Sequence, residues 1–495
     1  MSTPPRSTPP TAPRQATPLF SPEPTARKRD LTGLWLLALI ASCALALALQ
    51  IWHFWPFLSE GAYVSLHYSE ALLKGRGLAG VEGYVNLLWV LLLAALGAVG
   101  LPLVTAAHLL GIAGTVIGIT AVGCQVYRDY PAKVKFIAAL VGCLALCLSA
   151  PIGAWSLGGL EQPLLGALLA WAAFFCIRWV STSRGSTRDA NLAGLLLALA
   201  VLTRNDAFLF AILFYLGAVL TDGFRVPIML ARARILALPI LGFTGQLLFR
   251  HVYYHAWFPA PQAFAFHGFA AGLRYNLATV GSDAAFMLLA IIGALALWIA
   301  QKQREVLLLA TICIGWLLYI LAIGGDTLPA GRQFVPVMML MGFLAAGCGL
   351  LTLAAPFRFS AARLAIFLGL TALVLTSDLF AHPELESLAI VPAYLADEAS
   401  PAALQRAQGD VQLLIAPGGS VHFTALPLSP GTWQASLAGI GAAQLTLKPA
   451  SSACPLCIIS VPGQKSTITV TNTGTQPVLL HALTLTRRRS SAPSR

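Results

Sequence analysis

Asp326 and Arg332, in 321-LAIGGDTLPAGRQFVP-336, stand between two of the most apolar runs of the chain. The same setting recurs elsewhere. Glu60 lies in SEGAYVSLHYSEALLKGRG, Glu82 in VEGYVN, Glu161 in LGGLEQP, Arg204 and Asp206 in LTRNDA, and Tyr254 and His255 in YYHAWFPAPQ. Carboxylates accept protons and orient hydroxyls, while guanidinium groups hold oxyanions through paired N–H donors. Gathered at one face of a membrane, such a set suits a charged lipid headgroup. Each member also has a plainer reading. A single acid in a loop is ordinary solvated surface, Arg204 can snorkel from a short helix, and Asp326 can cap the next helix while pairing with Arg332.

The elements that must position these residues follow from composition. Of 495 residues, 57% are hydrophobic and 10% charged, against roughly 25% charged in an ordinary soluble domain. Apolar runs of about 20 residues recur and predict a membrane all-α, polytopic bundle. A net charge of +12 does not indicate nucleic acid, because the basic residues fall in short clusters between apolar runs, where they orient helices. Arg27-Lys28-Arg29 precedes the first run, which is too long and too far in for a cleaved signal and is expected to stay as an anchor. Further clusters are Arg128/Lys133/Lys135, Arg178/Arg184/Arg188, Arg225/Arg232/Arg234, Lys302/Arg304 and Arg358/Arg363. All of them share the cytoplasmic face only if Tyr84 to Gly100 lies along the membrane or re-enters it. The expected spans are then 33–56, 101–123, 134–150, 162–178, 191–205, 206–222, 235–250, 283–300, 305–323, 334–354 and 364–381. These are about eleven crossings, with the C-terminus outside and every polar stretch quoted above collected on the outer face.

Residues 1–32 are rich in Pro, Ser and Thr and are expected to be a disordered cytoplasmic tail, followed by the membrane domain over 33–381. The stretch 382–408 is expected to form short connecting helices. From 409 to 488, seven short alternating runs separated by Gly, Pro and Asn-Thr-Gly turns predict an exoplasmic β-sandwich, with a disordered end at 489–495. Trp433 and His422 of this unit, with Tyr394 of the preceding stretch, suit either sugar stacking or core packing. Seven of the nine cysteines lie in or beside apolar runs as small core residues. Cys454 and Cys457 are expected to form a local disulfide in preference to a metal pair.

The stretches GAYVSLHYSEALLKGRG, VEGYVNLLWVLLLA, WSLGGLEQPLLGALL, LLLALAVLTRNDAFLF, YYHAWFPAPQAF and GGDTLPAGRQFVP, in this order, resemble the landmarks of GT-C membrane glycosyltransferases. They look most like those of bacterial terminal arabinofuranosyltransferases, and they cover about residues 57 to 340. The resemblance implies a GT-C-like bundle that takes a sugar, arabinofuranose in that branch, from a polyprenyl-phosphate donor and passes it to a cell-envelope glycan acceptor. Where the family carries Asp-Asp-Ala-(Phe/Tyr) in its first outer loop, this chain has Glu60-Gly61-Ala62-Tyr63; its Pro-Asn-Thr motif reads Pro259-Ala260-Pro261 here. Glu60 is thereby implied as the base that takes the acceptor proton. Tyr63, His67, Glu82, Glu161, Arg204, Asp206, Tyr254, His255, Asp326 and Arg332 are implied as substrate-binding, with Arg332 on the phosphate. The resemblance fixes no cofactor and leaves a divalent cation on the phosphate open. Two other readings stay open. The loss of the second acid fits a catalytically degenerate binding or scaffold protein. A transporter fits less well, because mid-helix positions are almost free of charge.

Overall fold

The structure, a computed structural model, describes residues 32–55, 57–78, 86–181, 186–255, 257, 268–326, 328, 330–353, 369, 388–392, 398–407, 410–426, 431–440, 445–448, 456–461 and 466–487. The expected N-terminal tail up to residue 31, the expected span 364–381 apart from residue 369, Glu82, Arg184, Arg358, Arg363, Tyr394 and Cys454 lie outside the described residues, and with Cys454 the expected disulfide.

The first apolar run forms α1 (Thr32–Phe54), whose side chains are mostly exposed in the isolated chain, as befits a lipid-facing helix. The first polar stretch folds as α2 (Glu60–Leu73) and the next apolar stretch as α3 (Leu87–Ala98). Twelve residues of α3 at about 1.5 Å each fall well short of the ~30 Å hydrocarbon layer. α4 (Leu103–Asp129) is long enough to cross. It carries Gly111 and Gly114 where a Cβ would stand 2.2 Å from the Ser156 carbonyl oxygen and 2.9 Å from the Leu164 nitrogen. Only glycine lets α4 approach the backbone of the turn that holds Glu161 so closely.

α5 (Lys135–Leu148), α6 (Ala150–Trp155), α7 (Gln162–Ser181), α8 (Thr187–Thr203), α9 (Phe208–Leu220), α10 (Val226–Arg232) and α11 (Ala237–Tyr254) follow. Then come α12 (Phe269–Ser282) and α13 (Ala284–Ile299), bent by 86° at Asp283, and α14 (Gln303–Ile323) and α15 (Val335–Ala346). α15 is buried at every position and forms the centre of the bundle.

Among the described residues, six helical stretches are long and apolar enough to cross a membrane, or seven if the bent α12–α13 pair counts as one. The remaining expected crossings fall on shorter helices or outside the described residues. The stretches at 134–150, 191–205 and 206–222 supply α5, α8 and α9, of 14, 17 and 13 residues, since turns near Ser149 and Arg204 end the helices before the apolar sequence ends. The expected 235–250 crossing is the last part of a longer helical stretch that starts at Val226.

The charges sort to the two ends of this bundle. At one end Asp222 pairs with Arg232 and with Arg304 at 3.3 Å, Arg178 with Asp189, Arg128 with Asp129, and Lys302 with Glu305. At the other end lie Glu161, Arg204, Asp206, Asp326 and Arg332.

After the bundle come β1 (Leu388–Pro392), β2 (Glu398–Ala407), β3 (Asp410–Leu426), β4 (Gly431–Ile440), β5 (Leu445–Lys448), β6 (Leu456–Val461), β7 (Ser466–Asn472) and β8 (Val478–Arg487). All pairings are antiparallel, in the order β5-β7-β3-β8-β4-β6, with β1 on β8 and β2 on β3. Two expectations change. The stretch expected to form short connecting helices carries β1 and β2. The two runs DVQLLIAP and SVHFTALPL form one strand, because Gly418 at φ +73° turns the chain without ending its pairing to β2. Ile415, Val421, Phe423, Trp433, Ile468 and Leu483 are buried within it, so Trp433 packs in the core. His422 sits between the hydroxyls of Ser420 and Thr469.

Candidate active site at the acidic end of the bundle

Helix α14 stops because Gly324 adopts the left-handed conformation (φ +92°), its N–H bonding back to the Ile320 carbonyl. Gly325 (φ +84°) continues the turn against the Tyr275 ring. Ala330 and Gly331 are both left-handed, and the Ala330 carbonyl accepts the Trp155 indole N–H at 3.1 Å. Between these turns Asp326 accepts from Arg332 Nε at 2.5 Å and from the Leu328 amide at 3.3 Å. The pairing expected under the plainer reading is therefore present. The capping is not, because the next helical turn has no side-chain cap. Arg332 keeps 18% side-chain exposure against 7% for Asp326, which makes it the more open of the two.

Beside this pair lies a buried network centred on Glu161. Its Oε2 accepts from Asn86 Nδ2 at 2.8 Å, and its Oε1 accepts from Gln162 Nε2 at 3.1 Å and from Arg204 at 3.4 Å. Arg204 ends α8, and its fork grips Asp206 in the following turn at 2.9 and 2.6 Å, with Gln333 Oε1 at 3.3 Å. The Tyr319 hydroxyl also reaches Asp206, at 3.4 Å. Burial pulls the Arg204 guanidinium down from its ordinary value, but Asp206 and then Glu161 outweigh it and hold the proton more tightly than usual. For Asp206, burial pushes the carboxyl up, while the charges of Arg204 and then Arg332 bring it below its ordinary value.

The network reaches two neighbouring elements. Asn86 Nδ2 also donates to Ser65 on α2, at 2.8 Å. The Gln333 amide N–H donates to the Tyr275 hydroxyl, and its carbonyl accepts from Trp316 Nε1. α2 is docked by the Ser59 amide on the Gly158 carbonyl at 3.0 Å, which sets the backbone of Glu60 beside the turn bearing Glu161. Gly61 lies 3.3 Å, at its would-be Cβ, from Leu160 Cδ1.

Of the sequence-predicted residues, Glu161, Arg204, Asp206, Asp326 and Arg332 come together. Four N–H groups of Arg204 already donate within the protein, which makes it a tie between α8, α7 and the stretch before α15. Tyr63 is buried in α2, and His67 is half-buried with its ring edge-on to Tyr68. Tyr254 donates to the Leu78 carbonyl at 2.5 Å, and His255 is exposed at the left-handed end of α11. Neither is joined to the Glu161 network by a described hydrogen bond. Among the described residues no group of three or more His, Cys, Asp or Glu is placed to hold a metal ion. Sequence reasoning passed over Asn86, Gln162 and Gln333. All three lie inside or beside the quoted motifs, but amides carry no formal charge to mark them in an apolar background.

No family model matches the chain, and no curated protein does. Among solved structures it is similar to ArnT from Cupriavidus metallidurans in the apo state, with TM-score 0.50 and 14% identity over 69% of this chain and 63% of that one. The same protein bound to undecaprenyl phosphate gives 0.48. The archaeal oligosaccharyltransferase AglB from Archaeoglobus fulgidus, in complex with an inhibitory peptide and a dolichol-phosphate, gives 0.46 at 12% identity, over 70% of this chain and 56% of that one. The chain spans less than two thirds of the length of these proteins, and what it shares with apo ArnT is the fold of a GT-C membrane protein.

Proposed function

We propose that the chain is a membrane glycosyltransferase that moves a sugar from a polyprenyl-phosphate donor to a glycan acceptor at the outer face of a bacterial inner membrane. Arabinofuranose is the sugar the motif resemblance favours. In this reading the N-terminus is cytoplasmic and the β unit exoplasmic. The observation that carries the proposal is the joining of the Asp326–Arg332 pair, through neighbouring Gln333, to the buried Glu161–Arg204–Asp206 network, at the end of the bundle where α2 begins at Glu60.

In the reaction the acceptor hydroxyl gives its proton to the Glu60 carboxylate as its oxygen bonds to the anomeric carbon. The bond from that carbon to the phosphate oxygen breaks, and polyprenyl phosphate leaves with the electron pair. Arg332 stabilises the charge that develops on the phosphate, while Asp326 orients the guanidinium until donor arrives. Arg204 serves as the fixed frame and Glu161 as the anchor that keeps α2, through Asn86 and Ser65, at its working distance.

The test is transfer by protein reconstituted in nanodiscs from a polyprenyl-phosphate-linked sugar. Glu60→Gln should abolish most transfer and leave lipid binding nearly intact, since the amide keeps the shape but takes no proton. Full activity in Glu60→Gln would remove Glu60 from the chemistry and turn the search to Glu161, Asp206 and Asp326.

A further inference from the structure

Helix α11 has two unlike sides. Leu241, Leu248, Phe249 and Val252 are exposed, as on a lipid-facing surface. The opposite side packs on α8 and α9 and carries Gln246, Arg250 and Tyr254, spaced four residues apart and therefore in line along the helix. Gln246 is 3% exposed, and neither its Oε1 nor its Nε2 has a hydrogen-bond partner; Asn205 Oδ1 is shut off in the same way.

The elements that carry these groups are joined at one level. The rings of Phe208 and Phe243 stack with centroids 4.7 Å apart, tying the start of α9 to α11. Asn205 precedes Phe208 by three residues on a chain running away from the acidic end, and Gln246 follows Phe243 by three on a helix running toward it. Both thus sit roughly 4.5 Å beyond the stack, toward Arg204 and Asp206. Arg250, 1% exposed, is one further turn out, with its guanidinium 5.4 Å over the Tyr254 ring.

Burying a carboxamide without a partner in apolar surroundings costs on the order of 2–7 kcal/mol. A primary amide offers both donor and acceptor and so matches hydroxyl groups, while a guanidinium matches a phosphate. A ligand with several hydroxyls answers the unpartnered Gln246 amide and Asn205 Oδ1, and a phosphate beside those hydroxyls suits the neighbouring buried guanidinium of Arg250. We infer that Asn205, Gln246 and Arg250 form a glycosyl-phosphate subsite between α11 and the α8–α9 turn, the amides on the sugar hydroxyls and Arg250 on the phosphate. The inference rests on the proposed function and assigns the sugar-reading groups of that site.

Binding of two lipids to nanodisc-embedded protein tests it: polyprenyl phosphate alone, and the same lipid carrying arabinofuranose. Gln246→Leu should weaken the sugar-bearing lipid by roughly tenfold, the worth of about one hydrogen bond, and leave the bare lipid unchanged. Its thermal midpoint should stay level or rise, because a buried orphan amide is gone. Arg250→Lys should weaken both lipids. Equal binding of the sugar-bearing lipid by Gln246→Leu and the unaltered protein would overturn the inference and leave the proposed function standing, as would equal weakening of both lipids. If the unaltered protein bound neither lipid, both readings would fall.

Discussion

Replacing Arg204 with Met removes the one cation that the network shares between two carboxylates. Side-chain exposures are 10% for Arg204, 6% for Glu161 and 16% for Asp206, so the acids left behind are poorly solvated. Removing one partner of a buried ion pair costs about 3–5 kcal/mol. The 3.4 Å contact to Glu161 and the partial exposure of Asp206 argue for the lower end, about 3 kcal/mol. The pH dependence follows from Asp206, whose carboxyl is held below its ordinary value in the intact protein. A group shifted that way adds stability above its unfolded value near pH 4, and that stability is lost as pH falls through the folded value. Without Arg204, burial outweighs the remaining pull of Arg332 and the shift reverses, so the variant loses stability as pH rises. The gap between variant and parent should therefore be widest at pH 7 and narrow toward pH 4. Thermal unfolding in nanodiscs, followed by the fluorescence of buried Trp155 and Trp316, reads it. Adding Glu161→Gln and Asp206→Asn to Arg204→Met should restore most of the loss, because a neutral hydrogen-bonded cluster carries no stranded charge. A single variant as stable as the parent at pH 7, or one with the same deficit at pH 4 and pH 7, would show that Arg204 does not hold these carboxylates in place.

Arg332→Ala should weaken polyprenyl-phosphate binding and sugar transfer together, in contrast to Glu60→Gln, as read by paired binding and turnover assays. Gly331→Ala should destabilise by about 1–2 kcal/mol, since Gly331 is left-handed (φ +57°) and a Cβ would stand 2.5 Å from Thr279 Cγ2; the thermal midpoint checks it. Cysteines placed at Arg234 and at His255 should label from opposite sides of the membrane, and labelling of both from one side would overturn the two-ended arrangement.

The site was legible where it was charged. In a chain this apolar, a carboxylate or guanidinium is rare enough to stand out, and charge alone grouped Glu161, Arg204, Asp206, Asp326 and Arg332. Sequence offered the Asp326–Arg332 pairing as one of two readings and did not choose between them. Whether Arg332 faces Asp326 or solvent depends on how two left-handed turns at Gly324 and Gly331 fold the intervening loop. The amides that complete the network carried no signal. Hydropathy found the apolar stretches but not the ends of α5, α8 and α9, which close at turns that an averaged window reads through. In the β unit the Pro417-Gly418-Gly419 stretch reads as a break between strands. Pairing with β2 on both sides makes it a bend within one.

The most direct test of the account is a structure of the reconstituted protein with polyprenyl phosphate, determined by electron cryomicroscopy. The account predicts density for the phosphate at the acidic end, within hydrogen-bonding distance of Arg332 and on the same side of the bundle as Glu60. Phosphate density at the opposite end, among Arg128, Arg178 and Arg304, would contradict it.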